Sequence, residues 1–228
     1  NAGSRTVETV VNSSLTSSNG TIQFTGTAGI TVAGSVAGKI GVAVNASWGQ
    51  VTTVQGSAIA SSAASVVITG RAGVSIGGSA SGATGIILEA GSSNVSTLLG
   101  SSLESNGGPI TVTALAGIDA AGATSAQQNV TFNAGESVIR TGSASTITSS
   151  AAHVLLTATS GIEHQGAAAG AAGVTVYANY STVKTTSGSS LTSSAGSVSI
   201  TALTGIVMGG SVSANRDVAL LAGSSTIS

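Results

Sequence analysis

The chain has 228 residues, of which 6% are charged and 2% aromatic, and its formal net charge is −1. Its six Lys and Arg stand singly (Arg5, Lys39, Arg71, Arg140, Lys184, Arg216), so there is no basic patch for nucleic acid or anionic lipid, and the absence of cysteine excludes disulfides and thiol chemistry. Gly, Ser or Thr interrupts every apolar run well before the roughly 18 residues of a membrane span, and no charged segment precedes an apolar stretch at the start as in a signal peptide.

In chain order, the first well-formed elements are short alternating pairs: Ile22 and Phe24, Ile30 and Val32, Val42 and Val44, then Val51. Apolar residues two apart, β-branched and bounded by Gly, Asn and Ser, specify strands of three to five residues, and nothing supports a helix. The same pattern then returns. Gly29, Gly73, Gly117, Gly161 and Gly205 stand 44 residues apart, as do Gly34 to Gly210, Thr25 to Thr201 and Ala46 to Ala222. Five copies run from about residue 13 to the end without an insertion, so the chain is one elongated repeat unit, residues 1–228, rather than a set of globular domains.

Each 44-residue block divides in two, because Ile22 to Val42 spans 20 residues and Ile30 to Val51 spans 21. Two coils of roughly 22 residues per block, each with three short strands, predict an all-β right-handed parallel β-helix of about ten coils. At about 4.8 Å per coil it forms a rod about 50 Å long. The right hand follows from strand twist. Two inward columns are expected. One runs Leu15, Val36, Ile59, Ala80, Leu103, Thr124, Ile147, Ala168, Leu191, Val212; the other runs Phe24, Val44, Ile68, Leu88, Val112, Phe132, Leu156, Val176, Ile200, Leu220. The glycines at Gly29 and its equivalents precede a strand, where a corner calls for positive φ or close approach of the next coil. The chain begins and ends inside repeats without polar capping segments, as expected of a piece of a longer protein with exposed coil ends through which copies could self-associate.

The phrases GGPITVTALAGIDAAG (Gly107–Gly122) and GSVSITALTGIVMGG (Gly196–Gly210), the second followed by ANRDVALLAGSS (Ala214–Ser225), belong to repeats of the type G-x-(I/V)-x-(I/V)-T-A-x-x-G-I that cover nearly the whole chain. This pattern resembles the repeat region of filamentous haemagglutinin-type adhesins, large exoproteins of two-partner secretion in Gram-negative bacteria. The resemblance implies a secreted β-helical shaft at the bacterial surface, export through an outer-membrane partner, and a role in attachment to a host-cell or glycan receptor. The amino-terminal secretion domain of that family is not in this sequence.

Candidate chemistry is sparse. Asp119 and Glu163, 44 residues apart, fall in one outward column two coils, about 9–10 Å, from each other, near the upper separation of an inverting glycosidase pair. Arg140 falls between them and Lys184 follows, so an exposed salt-bridge ladder is the expected arrangement. His164 shares the inward column of Val32, Ile76, Ala120 and Met208, which makes it a core histidine. His153 sits at a strand edge beside no carboxylate, and two such histidines do not assemble a metal site.

The outward threonines Thr25, Thr69, Thr113, Thr157 and Thr201 suggest an ice-binding face. Asn45, Glu89, Asn133, Tyr177 and Leu221 interrupt it on the alternate coils. Sequons begin at Asn12, Asn19, Asn45, Asn94, Asn129 and Asn179, several of them expected by chance in so Ser- and Thr-rich a chain. Trp48 and Tyr180 occupy equivalent turn positions, with Tyr177 near the second, and spread over separate blocks they are not expected to form one platform.

No catalytic, cofactor or metal site is assigned from these residues. The expected function is an adhesive and structural shaft of a secreted surface protein, without nucleic-acid binding or membrane insertion. The alternatives are a carbohydrate-active β-helix enzyme built on Asp119 and Glu163, and a passive spacer that self-associates into fibres.

Overall fold

The computed structural model describes residues 5–224 and 226–228. Every regular element among them is a strand, and the strands form three ten-stranded parallel sheets. Face I starts at Thr6–Thr9 and ends at Gly205–Met208; face II runs from Ser14–Ser17 to Ser211–Ala214; face III runs from Thr21–Gly26 to Val218–Ala222. The chain visits faces I, II and III in turn and then begins the next coil, so every strand pairs with the one a coil away. The result is a parallel β-solenoid of ten coils.

Both predicted inward columns are continuous in the hydrogen-bonded register, the first from Leu15↔Val36 to Leu191↔Val212 and the second from Phe24↔Val44 to Ile200↔Leu220. Ile59, Ile68, Leu88, Leu103, Val112 and Phe132 are fully buried, and each such aliphatic or aromatic side chain contributes about 1.5–3 kcal/mol. Leu15, Phe24, Val212 and Leu220 belong to the two terminal coils. A neighbouring coil covers them on one side only, and Leu15 accordingly remains 46% exposed. At the far end Thr226–Ser228 starts to pair along Gly205–Met208, with Ser228 N–H donating to the Ile206 carbonyl at 3.0 Å.

Successive coils are not equivalent, which is why the repeat spans two of them. In face I the inward column reads Thr9, Val32, Thr53, Ile76, Thr97, Ala120, Thr141, His164, Thr185, Met208. Each threonine Oγ1 accepts backbone N–H groups from the turn of the following coil: Thr53 those of Gly77 and Gly78 at 3.0 and 3.3 Å, Thr185 those of Gly209 and Gly210, both at 3.1 Å. These turns carry the glycines Gly34, Gly78, Gly122, Gly166 and Gly210. A Cβ at any of them would collide with the backbone and hydroxyl of Ser13, Ser57, Ser101, Ser145 or Ser189 in the coil below. A second serine set closes the next corner, where the hydroxyls of Ser17, Ser61, Ser105, Ser149 and Ser193 accept N–H groups three residues on at 3.0–3.2 Å. Coils with Thr and Ser at their corners thus alternate with coils with Gly or Ala there.

Of the two features expected at the corner glycines before face I, positive φ or close approach, the second is general. Positive φ occurs at Gly73 and Gly161 but not at Gly29 or Gly117. What these four share is proximity: a Cβ at each would lie 3.0–3.2 Å from a carbonyl oxygen of the next coil. Close stacking, rather than backbone conformation, is the common requirement.

Candidate functional site: the charge ladder, the core histidine and the aromatic corner

The outward column of face I carries most of the ionisable groups that fall together. Register pairs Asp119 with Arg140, Arg140 with Glu163 and Glu163 with Lys184, the order expected from sequence. Arg140 Nε donates to Glu163 Oε2 at 3.2 Å, and Arg140 Nη1 lies 3.9 Å from Asp119 Oδ1. The Asn94 amide donates to the other Asp119 oxygen at 3.3 Å. All three charged side chains are about half exposed, so solvent screens their attraction. The two carboxylates that a glycan-cleaving pair would need are therefore held by a common guanidinium between them. Among the described residues, no three or more His, Asp or Glu gather as a metal site would require. No helix there is long and apolar enough to cross a membrane.

His164 points inward as predicted and is fully buried. Its partners were not visible in the sequence. Nδ1 lies 2.9 Å from Thr141 Oγ1 in the coil below, and Nε2 lies 3.1 Å from the Ser190 carbonyl in the coil above. Thr141 Oγ1 already accepts the N–H groups of Gln165 and Gly166, so its own proton goes to Nδ1 and the imidazole donates from Nε2. Burial lowers the pKa of His164 below its ordinary value of 6.5, partly opposed by backbone hydrogen bonds with Ser190 and Gly166. His153, by contrast, opens the strand His153–Ala158 at the surface, and its N–H is held by Asn129 Oδ1 at 3.0 Å.

The threonine column on face III is interrupted at every alternate coil as expected, with register Thr25↔Asn45↔Thr69↔Glu89↔Thr113. Face II is more uniform. Its outward residues in all ten strands are Ser, Thr or Ala, except Glu104. Trp48 stands apart from the tyrosines and stacks on Arg71, whose guanidinium carbon lies 3.9 Å from the ring centre.

At the other end Tyr177 lies near Tyr180, as the sequence places it. Tyr177 and Tyr180 do share one groove, with Leu203 and Leu221 contributed by the following coils. Register aligns Tyr177, Thr201 and Leu221 in one outward column, while Tyr180 and Leu203 come from turns, which strand alternation does not orient.

Compared with models of protein families, with curated sequences and with solved structures, the chain matches none of them.

Proposed function

We propose that this chain is a shaft segment of a secreted bacterial surface adhesin of the filamentous haemagglutinin type, holding binding regions away from the cell. The observation that carries this reading is the uninterrupted stacking of five coil pairs into three ten-stranded sheets. Such a stack spans distance, and its ladders and interlocked Thr, Ser and Gly corners resist bending between neighbours. The G-x-(I/V)-x-(I/V)-T-A-x-x-G-I pattern supports the family, and through it export by an outer-membrane partner and exposure at the cell surface. The absence of cysteine fits a chain exported unfolded, in which a periplasmic disulfide would obstruct passage.

The test uses the cells that make the protein. Antibodies against the chain should label intact cells, and removing the repeats should weaken attachment to host cells. Labelling only after lysis, or attachment unchanged without the repeats, would refute the reading.

A second reading is favoured by face II. A parallel face of Ser, Thr and Ala, broken only by Glu104, suits sheet-to-sheet packing between shafts, because small side chains permit close approach over a long contact. In this reading the chain is a fibre-forming spacer without a receptor. Concentration-dependent bundling that Thr148→Lys abolishes would favour it; a monomeric chain at all concentrations would dismiss it.

A further inference from the structure

Both tyrosines of the chain lie in one place, although aromatic residues make up only 2% of it. Tyr177 points outward from the strand Gly173–Ala178, and Tyr180 lies in the turn that follows. Register places Thr201 beside Tyr177 and Leu221 beside Thr201, while Leu203 belongs to the turn of the next coil. Together with Asn179 these side chains line an open cavity of about 370 Å³. Tyr177 is 39% exposed and Tyr180 64%, so their apolar surface is not used by the fold. The Tyr177 hydroxyl donates to Asn179 Oδ1 at 3.1 Å, which fixes the amide and leaves its Nδ2 hydrogens for a ligand oxygen.

We propose that this groove is a binding site for a neutral saccharide. The tyrosine faces and leucines match the apolar C–H face of a sugar ring, while the Asn179 amide and the Thr201 and Tyr180 hydroxyls match its hydroxyl edge. Among the described residues no Asp, Glu, Lys or Arg lines the cavity, so an anionic glycan finds no counter-charge there. An apolar partner helix would cover Asn179 and Thr201 without pairing them, an unfavourable desolvation. The site deepens the adhesin reading by giving the shaft a contact of its own, and either can fail alone: surface labelling bears on the shaft, and saccharide binding on the groove.

The experiment is saturation-transfer NMR and calorimetry on the full chain with lactose, maltotriose and N,N′,N″-triacetylchitotriose, and with a heparin hexasaccharide as the anionic control. At least one neutral sugar should bind, with transfer to its ring C–H protons. Tyr180→Ala should weaken it about tenfold or more, Tyr177→Phe should weaken it less, and Trp48→Ala should leave it unchanged. Circular dichroism confirms that each variant keeps its β structure. No binding by any neutral sugar at millimolar concentration, binding of the anionic probe only, or full binding in folded Tyr180→Ala would overturn the proposal.

Discussion

The Thr141 hydroxyl lies 2.9 Å from Nδ1 of a fully buried His164 and donates its proton there. Since Thr141 Oγ1 also accepts two N–H groups from the His164 turn, the imidazole completes the corner and needs its neutral form to do so.

This fixes the sign of a pH dependence. The folded pKa of His164 is lowered by burial, so in the window below the ordinary 6.5 the unfolded chain binds more protons than the folded one. The contribution of His164 to stability is therefore flat above about pH 6.5 and falls as the pH drops below it. His164→Met, which repeats the natural pairing of Met208 with Thr185 two coils on, should remove this part of the slope. Thermal melts of both proteins between about pH 5 and 8 check it; parallel profiles would contradict the buried neutral imidazole.

Ser145 supplies a natural defect in the repeat. The hydroxyls of Ser13, Ser57, Ser101 and Ser189 donate to the carbonyl three residues back at 2.6–2.7 Å, whereas the buried Ser145 Oγ has no partner. The preceding residue explains the difference. Asn12, Gly56, Gly100 and Gly188 adopt φ between 63° and 84°, and Ala144 does not. The Ser145 N–H already donates to the Gly142 carbonyl at 3.0 Å, and Ala144→Gly should let the backbone adopt the positive φ that brings the hydroxyl onto the same carbonyl. An unpaired buried hydroxyl costs about 1–3 kcal/mol, more than the about 0.4–1 kcal/mol of unfolded-chain entropy that glycine adds, so the melting temperature should rise. A lower melting temperature would count against the turn as cause.

The charge ladder should matter little. Arg140→Ala leaves Asp119 and Glu163 about 9–10 Å apart across water, where repulsion is weak. Exposed pairs contribute about 0–1 kcal/mol, so chemical denaturation should show a small loss that shrinks in high salt. If Asp119 and Glu163 instead cleave glycans, digestion of neutral and acidic polysaccharides should be measurable and should vanish in both Asp119→Asn and Glu163→Gln.

The columns, the charge ladder and the inward direction of His164 were legible in the sequence because alternation by two assigns faces and the period assigns partners. The roles of Thr53, Ser57 and their equivalents were not, although they keep the same spacing. Ser and Thr are also ordinary turn residues, and only the coil below shows that Thr53 Oγ1 meets the Gly77 and Gly78 N–H groups. Composition likewise gave no sign that Ala144 would leave Ser145 unpaired. The Tyr177 and Tyr180 groove was legible in part: the outward column already aligned Tyr177, Thr201 and Leu221, whereas Tyr180 and Leu203 lie in turns, where alternation by two assigns no direction.

The most direct test of the shaft is a pair of deletions that separates coil from coil pair. Removing Leu103–Thr146 takes out one 44-residue period and joins Ser102 to Ile147, restoring Thr and Ser corners against Gly corners. Removing Leu103–Ala123 joins Ser102 to Thr124, which puts Thr124 in the place of its register partner Leu103 but stacks the Thr97 and Ser101 corner directly beneath that of Thr141 and Ser145. If the coil pair is the structural unit, calorimetry should show the first variant melting cooperatively near the parent, with scattering giving a rod about 10 Å shorter, and the second melting far lower or without cooperativity. Equal melting of the two deletions would contradict it.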